Sequence, residues 1–225
     1  MTKLKICGLK SEDDISYANE LKPDYIGFVF LQGRKRYVSP SHAAHLRELL
    51  DPFIPAVGVF VNEPLEHVIS LAESGTIQMI QLHGQEDEAY LRKLRERCSQ
   101  PVIKAFIIRT KEDIEKALFY PSDYLLLDNG LGTGEAFDWS LIREIDRPFF
   151  LAGGLHPGNA ASAIELANPY ALDVSSGVET DGSKDYEKMK AFIHTVRTTV
   201  NQGGNLCQSQ KDASEFTAVS TFPKH

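Results

Sequence analysis

Short apolar runs rich in β-branched and aromatic residues recur along the chain. They start near Lys3, Tyr25, Ala56, Gln78, Val102, Tyr124, Phe149 and Ala171, with amphipathic stretches between them. The intervals are 22, 31, 22, 24, 22, 25 and 22 residues. A strand of about five residues, a helix of about ten and two short loops fill such an interval, so the pattern predicts one strand-helix unit repeated eight times. Helix starts follow the expected strands: Ser11 precedes Glu12, Asp13 and Asp14, Ser39 precedes Pro40, and Thr110 stands three residues before Asp113. The runs IPAVGVFV (54–61) and DYLLLD (123–128) are apolar nearly throughout, as parallel strands covered on both faces must be.

Eight units predict an α/β protein, a single (β/α)8 TIM barrel over residues 1–199, rather than a doubly wound sheet with its glycine fingerprint after the first strand. Here the glycine-rich turn comes late, in LAGGL (151–155), and a second small-residue cluster follows in DVSSG (173–177). Residues 200–225 are polar and aperiodic, a tail expected to be disordered, with Cys207 in it a bystander.

Composition narrows the function. At 225 residues and 42% hydrophobic, the chain can bury a full core. A net charge of −7 with no basic run argues against a nucleic-acid partner, while local cations and backbone N–H groups still allow a small anionic substrate. Cys7, Cys98 and Cys207 have unrelated spacings, which suits a reducing compartment better than disulfides or a thiolate metal site. No run approaches the ~18 apolar residues of a membrane span. The expectation is a cytoplasmic, monomeric protein with neither membrane nor nucleic-acid partners.

In such barrels the chemistry lies at the C-terminal strand ends. Gly153, Gly154, Ser175, Ser176 and Gly177 fall on the last two units, where backbone N–H groups commonly hold a phosphate; the plainer reading is two tight turns. Asp128 closes an apolar run, as a general acid or as an anchor for the loop after it. Cys7 ends strand one in KICG, across the mouth from Asp128, and as a base it would need positive charge nearby; an inert buried thiol is the alternative. Arg36 could clamp a carboxylate through its fork. Arg36, Gln81, His83, Lys104 and Asp173 are the expected substrate contacts. Lys5 and Lys104 interrupt apolar strands, as inward-pointing cations or as salt-bridged ones.

The motifs KICG (5–8), RYVSP (36–40), GVFVN (58–62), QLHG (81–84), GTGEAFDW (132–139), LAGG (151–154) and DVSSGVE (173–179) occur in the order and spacing of one family. Over residues 3 to about 197 the chain resembles the phosphoribosylanthranilate isomerases of tryptophan biosynthesis. The resemblance implies a (β/α)8 barrel that performs an Amadori rearrangement of a phosphosugar without metal or cofactor. By motif it places the general base on Cys7, the general acid on Asp128, the carboxylate-binding arginine on Arg36, and the phosphate loops on Gly153, Gly154, Ser175 and Ser176. The sequence departs from the family at Arg34, often small or serine, and at Asp181-Gly182, often Pro-Gly. Two other readings compete: the sister Amadori isomerase of histidine biosynthesis, whose substrate carries two phosphates, and a non-catalytic phosphometabolite-binding barrel.

Overall fold

A computed structural model describes residues 1–128, 139–142 and 145–199. Eight parallel strands close into a barrel in chain order: β1 (Lys3–Cys7), β2 (Tyr25–Val29), β3 (Ala56–Phe60), β4 (Met79–Leu82), β5 (Val102–Ile107), β6 (Tyr124–Asp128), β7 (Phe149–Leu151) and β8 (Ala171–Val174). Seven begin on the residue expected from the apolar pattern. The fourth begins one later, at Met79, and the preceding Gln78 side chain turns back to accept from Ala56 N–H and to donate to Gly75 O.

The helices α1 (Glu12–Leu21), α2 (Pro40–Leu49), α3 (Leu65–Glu73), α4 (Glu88–Arg95), α5 (Lys111–Phe119), α6 (Ala160–Ala167) and α7 (Tyr186–Thr198) surround the barrel. Their starts rest on side chains that satisfy orphan N–H groups. Ser11 and Asp14 form a reciprocal capping box on α1, Ser39 accepts from His42 N–H ahead of Pro40, and Asp113 accepts from the N–H groups of Arg109 and Thr110. Two expectations change. Among the described residues of the sixth unit, a single 3-10 turn (Trp139–Ile142) stands where a helix was expected, and all of GTGEAFDW but Trp139 lies outside the described residues, as does the tail 200–225. The eighth unit gains a hairpin, β9 (Glu179–Thr180) with β10 (Ser183–Lys184), turned through Asp181 and Gly182 at φ 53° and 81°. Positive φ at both central residues is the geometry of the type I′ hairpin turn, which Asp-Gly favours.

The alternation of strand residues divides the apolar interior in two. One set, including Leu4, Ile6, Ile26, Phe28, Leu125 and Leu127, packs outward under the helices. The other, including Tyr25, Val57, Met79, Ile103, Leu126 and Phe150, fills the barrel. Tyr25, Tyr124, Tyr170 and Phe150 form an aromatic floor, with ring centroids 4.9 to 5.7 Å apart and the two hydroxyls of Tyr25 and Tyr170 at 2.9 Å. Above this floor the barrel lining turns polar.

Candidate active site

The polar layer begins with Lys5 of β1, which is wholly buried and places Nζ 2.9 and 2.8 Å from the two carboxylate oxygens of Asp173 on β8. Strand register sets this contact, since Lys5 and Asp173 are direct partners across the β1–β8 seam. Burial works against the charge on Lys5, but Asp173 and the Cys7 thiol outweigh it and hold the ammonium above the ordinary lysine range. Lys5 is therefore an inward-pointing cation and a salt-bridged one at once.

One step higher on the same face, Cys7 ends β1 with 9% of its surface exposed. Burial pushes its thiol up, while the positive charge of the neighbouring Lys5 pulls it back. Arg36 crosses directly above the turn that follows. A Cβ on Gly8, at φ 80°, would lie 2.4 Å from Arg36 Cδ, so the bare backbone there lets the arginine fold over the mouth.

The Arg36 fork does clamp a carboxylate, that of Glu179, with Nε and Nη2 donating at 2.7 and 2.8 Å. Lys184 on the facing hairpin strand donates to the same Oε1 at 2.7 Å and to Ser175 O at 3.1 Å. Burial disfavours the Glu179 charge, but Arg36 and Lys184 together bring its carboxyl down from 4.5 to about 2. Neither Glu179 nor Lys184 was singled out from the sequence. The usable signal was Asp181-Gly182, because a two-residue turn there pairs residue 179 with residue 184.

On the far side of the mouth, Asp128 ends β6 and is 22% exposed at its side chain. His83 Nε2 lies 3.8 Å from Asp128 Oδ2, and Gln81 Nε2 donates to His83 Nδ1 at 2.9 Å, an arrangement that keeps the remaining ring proton on the nitrogen facing Asp128. Burial lowers the His83 pKa against the pull of Asp128 and Asp173, so the imidazole is neutral at pH 7. Gln81 is buried, and its Oε1 has no partner among the described residues.

The glycine turn after β7 has both Gly153 and Gly154 at positive φ, 87° and 66°. Among the described residues none accepts from their N–H groups. The loop after β8 packs directly behind: a Cβ on Gly177 would fall 1.8 Å from Leu155 O. Ser176 is exposed, while the Ser175 hydroxyl donates to Cys7 O at 3.0 Å and ties this loop to β1.

Two expected substrate contacts are placed otherwise. Lys104 points away from the barrel, between β5 and the helices, donating to Glu86 at 2.9 Å and Gly84 O at 2.7 Å, with Nζ 5.8 Å from the Tyr120 ring centroid. Its neighbours Ile103 and Ala105 take the inward positions, and strand alternation turns it out. Asp173 sits below the mouth with both oxygens committed to Lys5.

A closed parallel barrel carrying a thiol, a carboxylate, an imidazole and an arginine fork on one rim, beside a double-glycine turn, is the frame of a (β/α)8 enzyme acting on a small anionic molecule. Residues 4–195 match the family described as N-(5'phosphoribosyl)anthranilate (PRA) isomerase, and the chain belongs to that family. It is 46% identical over 203 residues to the N-(5'-phosphoribosyl)anthranilate isomerase of Endomicrobium trichonymphae, covering 88% of this chain and all of that protein. To that of Thermoanaerobacter sp. strain X514 it is 45% identical, covering 88% and 98%. Among solved structures, the phosphoribosyl anthranilate isomerase of Thermotoga maritima superposes with a TM-score of 0.81 at 41% identity, over 88% of this chain and 99% of the other. A phosphoribosyl anthranilate isomerase in complex with reduced 1-(o-carboxyphenylamino)-1-deoxyribulose 5-phosphate superposes with a TM-score of 0.79, also at 41% identity and over the same shares.

Proposed function

We propose that the chain isomerises N-(5'-phosphoribosyl)anthranilate to 1-(2-carboxyphenylamino)-1-deoxyribulose 5-phosphate in tryptophan biosynthesis, with Asp128 as general acid and Cys7 as general base. The observation that carries the assignment is the placement of these two groups on the rims of β6 and β1, with the arginine fork and the double-glycine turn on the same face.

Asp128 gives its proton to the ribose ring oxygen, the C1–O bond breaks, and the anilino nitrogen's lone pair closes a protonated Schiff base. Cys7, as thiolate, takes the C2 proton; the electrons of that C–H bond become the C1–C2 double bond, and the C1–N π electrons return to nitrogen to leave a neutral enol-amine. Ketonisation moves a proton from the C2 hydroxyl to C1 and gives the aminoketose. Each positioned proton transfer contributes ~10² to 10⁴-fold, and holding the substrate at both ends supplies much of the rest.

The double-glycine turn and the backbone of Ser176 and Gly177 receive the phosphate, with the Ser175 hydroxyl bracing their loop. Arg36 uses Nε and Nη2 on Glu179, leaving its Nη1 edge for the anthranilate carboxylate. The unpartnered Gln81 Oε1 and the neutral His83 face the sugar hydroxyls. A thiol base supports a reducing, cytoplasmic setting.

The test is the decay of substrate fluorescence on adding purified protein. Turnover with appearance of the aminoketose is the expected result. No turnover, with phosphate-ligand binding retained, would replace this reading with that of a non-catalytic binding barrel.

A further inference from the structure

A thiol in this position is a poor base unless something stabilises its anion, and burial alone moves Cys7 the wrong way. Four charged groups act on it: Lys5 from its own strand, Asp173 from β8, Lys184 from β10 and Arg36 from the loop after β2. Arg36 and Lys184 are both turned onto Glu179. Lys5, two residues before Cys7 on the same face of β1, is turned onto Asp173 instead.

The space in which they meet is built for contact. Gly27 of β2 pairs with Cys7 in strand register, and a Cβ there would lie 2.8 Å from Cys7 Sγ and 3.3 Å from Lys5 Cε. Any larger residue would wedge against both the sulfur and the end of the lysine stem. Beneath them, the bidentate grip of Asp173 fixes the height and direction of the lysine. A lysine with no solvent exposure and one carboxylate partner adds little net stability to a barrel over a well-packed apolar residue, so the ion pair calls for another reason to be there.

We propose that Lys5 is the positioning residue that makes Cys7 a base: its ammonium donates to the sulfur once Cys7 has lost its own proton to solvent at the mouth, and holds the thiolate where the substrate C2 proton arrives. Lys5 keeps its three protons throughout and forms no covalent bond; the sulfur returns to a thiol on taking the C2 proton. Asp173 keeps Lys5 in place and, being negative, opposes the thiolate. The inference rests on Cys7 as the base, and it gives the two members of the pair opposite effects on one sulfur.

The experiment follows iodoacetamide alkylation of Cys7 against pH in a Cys98→Ser/Cys207→Ser background, where Cys7 is the remaining thiol. Lys5→Met/Asp173→Asn, which removes the pair without leaving a lone buried charge, should slow alkylation at pH 7.5 by about tenfold or more, with kcat falling in step and KM little changed. Asp173→Asn alone leaves the ammonium facing the sulfur and should speed alkylation. Opposite shifts in the two variants support the proposal. A pair that only braces the barrel would lower the urea midpoint in both and leave the alkylation profile unmoved, and that result overturns it. Should the double variant not fold, the direction of the Asp173→Asn shift decides alone. Turnover of Cys7→Ser reads the base assignment separately: near-normal turnover removes that assignment whatever the alkylation rates show.

Discussion

Replacing Glu179 by Gln keeps the shape of the hairpin and removes the one negative charge shared by Arg36 and Lys184. The Lys184 side chain is 1% exposed, so it loses its counter-ion while surrounded by protein. Moving the Glu179 carboxyl from 4.5 to about 2 corresponds to roughly 3 kcal/mol of folding free energy. The folded-state value is depressed, so this stabilisation is fully present well above pH 4.5 and is lost as the pH falls towards 2. Urea denaturation should show Glu179→Gln less stable than wild type by about 2 to 3 kcal/mol at pH 7, with the gap narrowing by about 1 kcal/mol at pH 3.5. Because the Arg36 fork is released at the same time, the KM for substrate should rise more than kcat falls. A stability gap independent of pH, or a KM unchanged in the folded variant, would refute the view that Glu179 is the charged hinge between hairpin and arginine.

Three further outcomes follow from the geometry. Lys104→Met strands the buried Glu86 carboxylate and should cost about 3 to 5 kcal/mol in urea, with KM and kcat nearly unchanged in the folded protein; a large rise in KM would return Lys104 to the substrate site. Gly177→Ala forces a methyl towards Leu155 O and should destabilise by about 1 to 3 kcal/mol while weakening inhibition by inorganic phosphate, whereas unaltered phosphate affinity would place the anion elsewhere. A nitrogen NMR titration should show His83 losing its charge below the ordinary histidine range, with the neutral ring's proton on Nε2; titration at or above the ordinary histidine value would contradict the burial and the Gln81 contact.

The barrel was legible in the sequence because its signals are local and repeated: buried parallel strands read as apolar runs, and Ser11, Ser39 and Thr110 marked helix starts. The rim residues were legible for the same reason, since a strand end at Cys7 or Asp128 is a position along the chain. Which way a side chain points is another matter. Lys5 and Lys104 look alike in sequence, each a lysine inside an apolar strand, yet one faces the barrel and one the helices. A shift of one residue in phase separates them, and apolar neighbours on both faces hide that phase. Long-range partners were equally hidden: Asp173 lies 168 residues from Lys5, and Glu179 lies 143 from Arg36. Only the Glu179–Lys184 contact had a local signature, in the Asp-Gly turn between them.

The most direct test of Cys7 and Asp128 as the working pair is single-turnover decay of N-(5'-phosphoribosyl)anthranilate fluorescence in Cys7→Ser and Asp128→Ala, each shown to be folded by its thermal transition. Each variant should lose about 10² to 10⁴-fold in rate while binding the aminoketose phosphate nearly as tightly as wild type. Turnover within a few-fold of wild type in either folded variant would contradict the assignment.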